Sequence, residues 1–300
     1  MHKRLAVAVT AACLIAFAGW KAGSADAVGR AQLKTVLPWQ VAEGWFGGFS
    51  AIEVAADGRA FTALSDRGHF VQGLLVREGG DIVGVLQGQD EALLDAKGKV
   101  PRSYRRDSEG LAQLGDGPIY VSFEGVHRID AYRELNQAAL PIARFPKHEG
   151  LHGNGSLEAL AVDRRGRLFA ITEDALGAEG DATVFVFSNG SWSTPYRISR
   201  SDGFHPVGAD FGPDGRFYLL ERGFNGFGFR SRVRRFDLTA AGLVNEAELF
   251  RTRTGTHDNL EGLSVWQDSA GNMRLTMISD DNFRFFQRTE IVEYVVPQTP

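Results

Sequence analysis

The sequence predicts an all-β fold, a β-propeller of five four-stranded blades closed by an N-terminal strand. Two observations predict it. One pattern recurs five times: a small or acidic residue opens a short apolar run, a Gly-containing turn follows, and a second apolar run ends on Asp or Glu. Between the copies lie runs rich in β-branched and aromatic residues, such as Ile119-Tyr120-Val121-Ser122-Phe123 and Thr183-Val184-Phe185-Val186-Phe187, bounded by Gly, Asn and Asp turns. A repeat of about 50 residues built from short strands is the mark of a propeller.

The copies run from Ser50-Ala51-Ile52 to Leu64-Ser65-Asp66, from Glu109-Gly110-Leu111 to Ser122-Phe123-Glu124, and from Glu158-Ala159-Leu160 to Ile171-Thr172-Glu173. The last two run from Ala209-Asp210-Phe211 to Leu219-Leu220-Glu221 and from Glu261-Gly262-Leu263 to Ile278-Ser279-Asp280. Their terminal acids, Asp66, Glu124, Glu173, Glu221 and Asp280, are spaced 58, 49, 48 and 59 residues apart. Each copy is followed by two further candidate strands: 70–77 and 82–87, 126–130 and 140–145, 183–188 and 192–199, 232–238 and 245–251. The last copy has only 289–296, and residues 32–38 supply the missing twentieth strand. Six blades become the alternative if the connection 84–107 hides strands. Residues 131–140 are the one place where a helical turn or two is expected.

Residues 1–27 read as an export signal. Lys3 and Arg4 precede an apolar stretch of Leu5 to Trp20, too short for a membrane span, and Ala25-Asp26-Ala27 offers a cleavage site after Ala27. A periplasmic or secreted protein is expected, with residues 28–300 as a single domain. The only cysteine, Cys13, leaves with the signal, which excludes thiolate chemistry and disulfides. The whole-chain charge of −4 becomes more acidic without Lys3, Arg4 and Lys21, so nucleic acid is not an expected partner. Nothing in the rest of the chain is long and apolar enough to span a bilayer, and a monomer is expected.

In a blade the first strand lines the channel and the second runs antiparallel beside it. The start of one therefore lies next to the end of the other, on one face of the disc. This pairs Glu109 with Glu124, Glu158 with Glu173, Glu261 with Asp280, and Ser50 with Asp66 around one channel mouth, with Asp210 out of phase. Carboxylates so crowded repel by several kcal/mol per close pair, on the order expected at an effective dielectric near 20. Arginine, a shared proton or a cation must relieve them. Arg67 and Arg222 follow two of the acids, and the oxygen-rich set Asp258, Asn259, Glu261, Asp280, Asp281 and Asn282 suits Ca²⁺. The expected metal ligands are Asp66, Glu124, Glu158, Glu173, Glu221, Asp258, Glu261, Asp280 and Asp281. Arg67 and Arg222 would hold a phosphate, Glu109 or Glu261 would act as base, and His257 offers a further acid–base group. The run Gly223-Phe224-Asn225-Gly226-Phe227-Gly228-Phe229 reads either as a mobile lid or as a packed loop. No Gly-x-Ser-x-Gly elbow, P-loop or dinucleotide fingerprint is present.

Six segments in order resemble the family described as esterase-like activity of phytase. They are Ala63-Leu64-Ser65-Asp66-Arg67-Gly68, Asp107-Ser108-Glu109-Gly110-Leu111-Ala112, Leu157-Glu158-Ala159-Leu160-Ala161, Leu220-Glu221-Arg222-Gly223-Phe224, Asp258-Asn259-Leu260-Glu261-Gly262-Leu263 and Ile278-Ser279-Asp280-Asp281-Asn282-Phe283. The resemblance covers about Phe46 to Val296. It implies an acid-rich propeller acting on a small-molecule phosphoric ester. Such proteins commonly carry an acid early in the fourth repeat; counting back from Asp214-Gly215, that position falls at Gly208 here. A non-catalytic binding propeller and a Ca²⁺-dependent lactonase-like propeller remain the rival readings.

Overall fold

A computed structural model describes residues 31–146, 157–176 and 180–298. They form five four-stranded antiparallel sheets. Blade one holds β2 (Phe49–Val54), β3 (Ala60–Ser65), β4 (His69–Glu78) and β5 (Asp81–Ala92). Blade two holds β6 (Ser108–Gln113), β7 (Ile119–Phe123), β8 (Arg128–Tyr132) and β9 (Leu140–Arg144). Blade three holds β10 (Ala159–Val162), β11 (Leu168–Leu176), β12 (Ala182–Ser188) and β13 (Ser191–Ile198). Blade four holds β14 (His205–Phe211), β15 (Phe217–Phe224), β16 (Phe229–Thr239) and β17 (Gly242–Arg251).

Blade five closes the ring as the sequence predicts. Its order is β1 (Gln32–Pro38), β20 (Glu290–Val296), β19 (Met273–Asp280) and β18 (Asn259–Gln267). The first strand of the chain thus completes the last sheet, and the two chain ends are held by one ladder, from Gln32↔Val295 to Pro38↔Glu290. The six-blade alternative falls. The connection 84–107 is used by a longer β5 and by one 3₁₀ turn, Ser103–Arg105. The helical turns expected within 131–140 are absent, because Ala131 and Tyr132 finish β8 and turns follow.

Five apolar clusters make up the core, one at each junction between blades. Leu220 and Val233 of blade four meet Leu263 and Met277 of blade five. Phe61 and Val71 of blade one meet Trp266 and Ile278 of blade five. The other three clusters repeat this around the ring. Successive side chains point to opposite faces, and the inner strands are buried at consecutive positions, so each blade is packed from both sides.

The innermost strands approach so closely that glycine is required. A Cβ on Gly262 would lie 2.7 Å from the Ile52 amide nitrogen, and one on Gly208 would lie 2.4 Å from the Glu261 carbonyl oxygen. The waist of the channel encloses only about 10 Å³. Serine hydroxyls tie blade to blade at the mouth: Ser50 donates to the Ser108 carbonyl (2.8 Å), Ser108 to the Ser65 carbonyl (2.7 Å), and Ser122 to the Leu157 carbonyl (2.8 Å).

Candidate active site at the channel mouth

Strand register decides which repeat residues meet. Leu64, Ile171, Leu220 and Ile278 on the second strands pair with Ala51, Ala159, Gly208 and Gly262 on the first. Two residues past each lie Asp66, Glu173, Arg222 and Asp280. In blade two, Val121 pairs with Leu111, and Glu124 takes the same place. The residues immediately before the first-strand partners are Ser50, Glu158, Val207 and Glu261, with Glu109 in blade two. The fourth repeat is therefore offset by one from the sequence alignment. Arg222, not Glu221, stands at the mouth, and the spacing becomes 58, 49, 49 and 58. The opening position is Val207, buried, rather than Gly208.

Glu221 points to the other side of β15. It is fully buried, and Arg232 and Arg234 each grip it with two nitrogens at 2.7–2.9 Å. All four charge-assisted bonds lie inside blade four, so the structure does not bring Glu221 to the mouth. Asp210 lies one layer deeper, where its carboxylate accepts from the Phe211 amide (2.7 Å) and the Val265 amide (2.6 Å) of blade five. Glu53 of blade one shares that layer, accepting from the Gln113 amide (3.1 Å) and the Ser264 hydroxyl (3.2 Å). Burial, and then the Asp210 charge, raise Glu53 well above the usual carboxylate range; burial raises Asp210 to about 7.

The mouth itself gathers Asp66, Asp107, Glu109, Glu124, Glu158, Glu173, Glu261 and Asp280. Arg222 is held among them. It donates to Glu261 Oε1, to Asn259 Oδ1 (2.9 Å) and to Glu173 Oε1 (3.2 Å). Asn259 Nδ2 donates to Glu261 Oε1 (2.8 Å) and to Asp280 Oδ2 (3.3 Å). Arg222 is thus committed to the protein. Arg67 is exposed, lies 3.2 Å above the Phe283 ring centroid, and makes no ion pair among the described residues.

Crowding shows in the proton affinities. Burial, and then the charges of Glu158, Glu261, Asp107 and Glu124, raise Glu109 well above the usual carboxylate range. Burial with Glu261 and Glu173 raises Glu158 well above it, against the pull of Arg222. Glu261 rises to about 8, Asp66 to about 7 and Asp280 to about 6, each chiefly through burial. Burial raises Asp107 as well.

Three of these acids fit a metal ion. Asp107, Glu109 and Glu124 each offer an oxygen, and the three oxygens all lie within 4.8 Å of one another. Oxygens so spaced can each reach a shared hard cation at about 2.4 Å. The Asp107, Glu109 and Glu158 side chains accept no hydrogen bond from the described residues, which leaves their lone pairs open. Sequence reasoning missed Asp107. Its signal was the segment Asp107-Ser108-Glu109, since alternate residues of an extended chain share a side.

Other expected ligands are used by the backbone. Asp258 accepts from the Arg288 amide (2.9 Å) and from Gln287 Nε2 (3.2 Å). Asp281 accepts from the Gly48 and Phe283 amides, both at 3.0 Å, and Asp280 accepts from the Asn282 amide (2.6 Å). These bonds hold Asn282 and Phe283 at left-handed φ of 48° and 51°, which sets Phe283 beneath Arg67. His257 is buried, its Nε2 lies 2.8 Å from the Tyr294 hydroxyl, and burial lowers it to about 4. A ring so held is neutral near pH 7 and is turned into the wall rather than toward the acids. His148 and His152 lie outside the described residues. Arg102 and Arg105 border a groove of about 1120 Å³ beside blade two, with Lys97, Lys99 and Arg144.

The sequence profile described as esterase-like activity of phytase matches residues 44–283. The chain belongs to the phytase-like family. No curated protein matches it. Among solved structures, the phytase-like chain is similar to the catalytic domain of a GH62 α-L-arabinofuranosidase from Coprinopsis cinerea, at 12% identity and TM-score 0.54, over 89% of this chain and 96% of that one. It is also similar to the α-L-arabinofuranosidase PaAbf62A from Podospora anserina in complex with cellotriose, at 11% identity and TM-score 0.53, over 91% and 98%. The PQQ-bound aldose sugar dehydrogenase from Streptomyces coelicolor follows at 12% identity and TM-score 0.45, over 87% and 98%. At such identities the likeness is one of fold. No helix among the described residues is long and apolar enough to cross a membrane.

Proposed function

We propose that this phytase-like propeller is an exported, metal-dependent hydrolase of phosphoric esters whose site is the acidic channel mouth. The observation that carries the reading is the triad of Asp107, Glu109 and Glu124, whose oxygens all lie within 4.8 Å of one another. Family membership supports ester chemistry. Asp107, Glu109 and Glu124 would hold the ion, for which Ca²⁺ is the natural candidate among hard cations. A bound cation would polarise the phosphoryl oxygen and acidify a water.

The chain's own groups do the rest. Glu158 stands beside Glu109 without a hydrogen-bond donor and has a raised proton affinity, so it is the base that takes the water's proton. Arg67, exposed and within reach of no carboxylate at ion-pair distance among the described residues although its charge acts on Asp66, holds the phosphoryl oxygens at the rim. Arg222 lowers the charge of the mouth and keeps Glu261 and Glu173 in place.

One observation favours a second reading, a propeller that binds without chemistry: Arg222 already satisfies two of the acids. Phosphate release from a panel of esters, with and without added Ca²⁺, separates the two. Cation-dependent release that disappears in Glu109→Gln and Glu158→Gln is expected. Calorimetric Ca²⁺ binding should be lost only in Glu109→Gln. Cation binding with no release from any ester would sink the hydrolase, and a lactone panel run alongside tests the lactonase-like alternative.

A further inference from the structure

Beside the acidic mouth, blades four and five form a cleft of about 760 Å³ that the chemistry above leaves unused. One wall is the tip of the β15–β16 hairpin, with Phe224, Phe227 and Phe229. The facing wall is the β19–β20 turn, with Arg284 and Phe286. Arg222 lines the floor, which makes the cleft continuous with the mouth.

The aromatic rings pair along each wall, Phe224 with Phe229 (centroids 5.0 Å) and Phe286 with Phe285 (5.3 Å), yet stay largely exposed. Phe224 is 62% exposed, Phe227 96% and Phe286 64%. The hairpin tip is nonetheless ordered. Asn225 Oδ1 accepts from the Phe227 and Gly228 amides (3.1 and 3.2 Å), and Asn225 Nδ2 donates to the Thr254 hydroxyl (3.0 Å). The Gly-rich run is therefore a short hairpin held in place, with strands reaching Phe224 and resuming at Phe229. Apolar rings held out on a fixed tip, facing another ring across a cleft of ligand size, are a recognition surface.

We infer that this cleft is the substituent subsite of the mouth, and that the preferred substrate is an ester bearing an aromatic ring on its alcohol. The inference rests on the hydrolase reading for the word substrate. A heavily phosphorylated alcohol finds few free cations in the cleft: Arg222 and Arg288 are paired with carboxylates, Arg288 with Glu290 at 3.0 Å, which leaves Arg284 as the one lining arginine with no ion pair among the described residues. A flat apolar group would instead stack on Phe224 and Phe227 while its phosphoryl end points past Arg222 and Asn259 into the mouth. Aromatic pairs gain from offset or edge contacts beyond the area they bury.

The test uses naphthylethyl phosphate and ethyl phosphate, whose leaving groups are both primary alcohols. The purified protein is expected to turn over the naphthyl ester with a kcat/KM at least about tenfold higher, the effect of one well-placed ring contact. The double variant Phe224→Ala/Phe227→Ala should bring the ratio close to one and leave ethyl phosphate turnover and the melting temperature unchanged, since both rings are exposed. Calorimetric binding of naphthylethanol, which carries no phosphate, gives a readout independent of catalysis and should weaken at least about tenfold in the variant. Equal preference in both proteins, or an unchanged alcohol affinity, overturns the subsite. Alcohol binding that depends on the rings, with neither ester hydrolysed, refutes the hydrolase reading and upholds the cleft as a ring-binding site.

Discussion

Arg222 and Glu221 are chain neighbours that face opposite sides of β15. Arg222 joins the channel mouth through Glu261 and Glu173, and Glu221 is sealed inside blade four by Arg232 and Arg234. Each is a buried charge with a distinct set of partners, and each can be removed separately.

Replacing Arg222 by Met strips the counter-charge from Glu261. Breaking a buried pair on one side costs about 3–5 kcal/mol. Glu261 holds its proton up to about 8, so the loss should be smaller at pH 5, where the carboxyl is neutral, and largest at pH 9. Urea unfolding at the two pH values measures it; an equal loss at both would be wrong for this arrangement.

Glu221→Gln takes from Arg232 and Arg234 their shared buried anion and leaves them only more exposed carboxylates, Glu246 at 3.0 Å from Arg234 and Asp202 and Glu248 at 3.9 Å from Arg232. A destabilisation of about 3–5 kcal/mol is expected, with Ca²⁺ affinity of the folded protein unchanged. Chemical denaturation and a calorimetric titration check the two halves. A loss of metal binding at full stability would return Glu221 to the mouth.

The cation-free protein should lose stability as pH rises from about 4 to about 8. Asp280, Asp66 and Glu261 have folded-state values of about 6, 7 and 8. The folded chain therefore binds more protons than the unfolded chain across that window, and stability is lost as each group ionises. Two of the triad acids are also raised, Glu109 through burial and neighbouring carboxylates and Asp107 through burial, and a cation there takes the place of their protons. Added Ca²⁺ should raise the melting temperature more at pH 8 than at pH 5, with proton release on binding near pH 6. A pH-independent shift would contradict a cation held by these acids.

Glu53→Gln should stabilise the protein above pH 7 and change little at pH 5. The amide oxygen still accepts from Gln113, and the Ser264 hydroxyl can reverse to accept from the new NH₂. What disappears is the repulsion with Asp210, felt only when both are ionised. Thermal unfolding at the two pH values tests it.

The ring was legible in the chain alone. Strand-forming runs, Gly turns and the repeat made five blades legible, and the lone unpaired strand at 32–38 foretold the closure with 289–296. Those features are local, set by side-chain alternation and turn geometry. The repeat also placed Asp66, Glu109, Glu124, Glu158, Glu173, Glu261 and Asp280 at one mouth, because period two and a shared register carry them there.

What each acid does depends on contacts between blades. The match of Gly208 to Leu220, beside a bulge that blades one and five also carry, sends Glu221 inward and Arg222 to the mouth. A one-residue slip reverses every side chain on a strand; its signal was the turn glycine, since the count from Gly117 to Glu124 and from Gly166 to Glu173 leads from Gly215 to Arg222, not Glu221. Partners are decided in the same way. Asp258 and Asp281 look like ligands in sequence but serve backbone amides brought from distant turns, while Asp107 lies open beside Glu109 and Glu124. Charge pairing across blades depends on distances that exist only once the ring has closed.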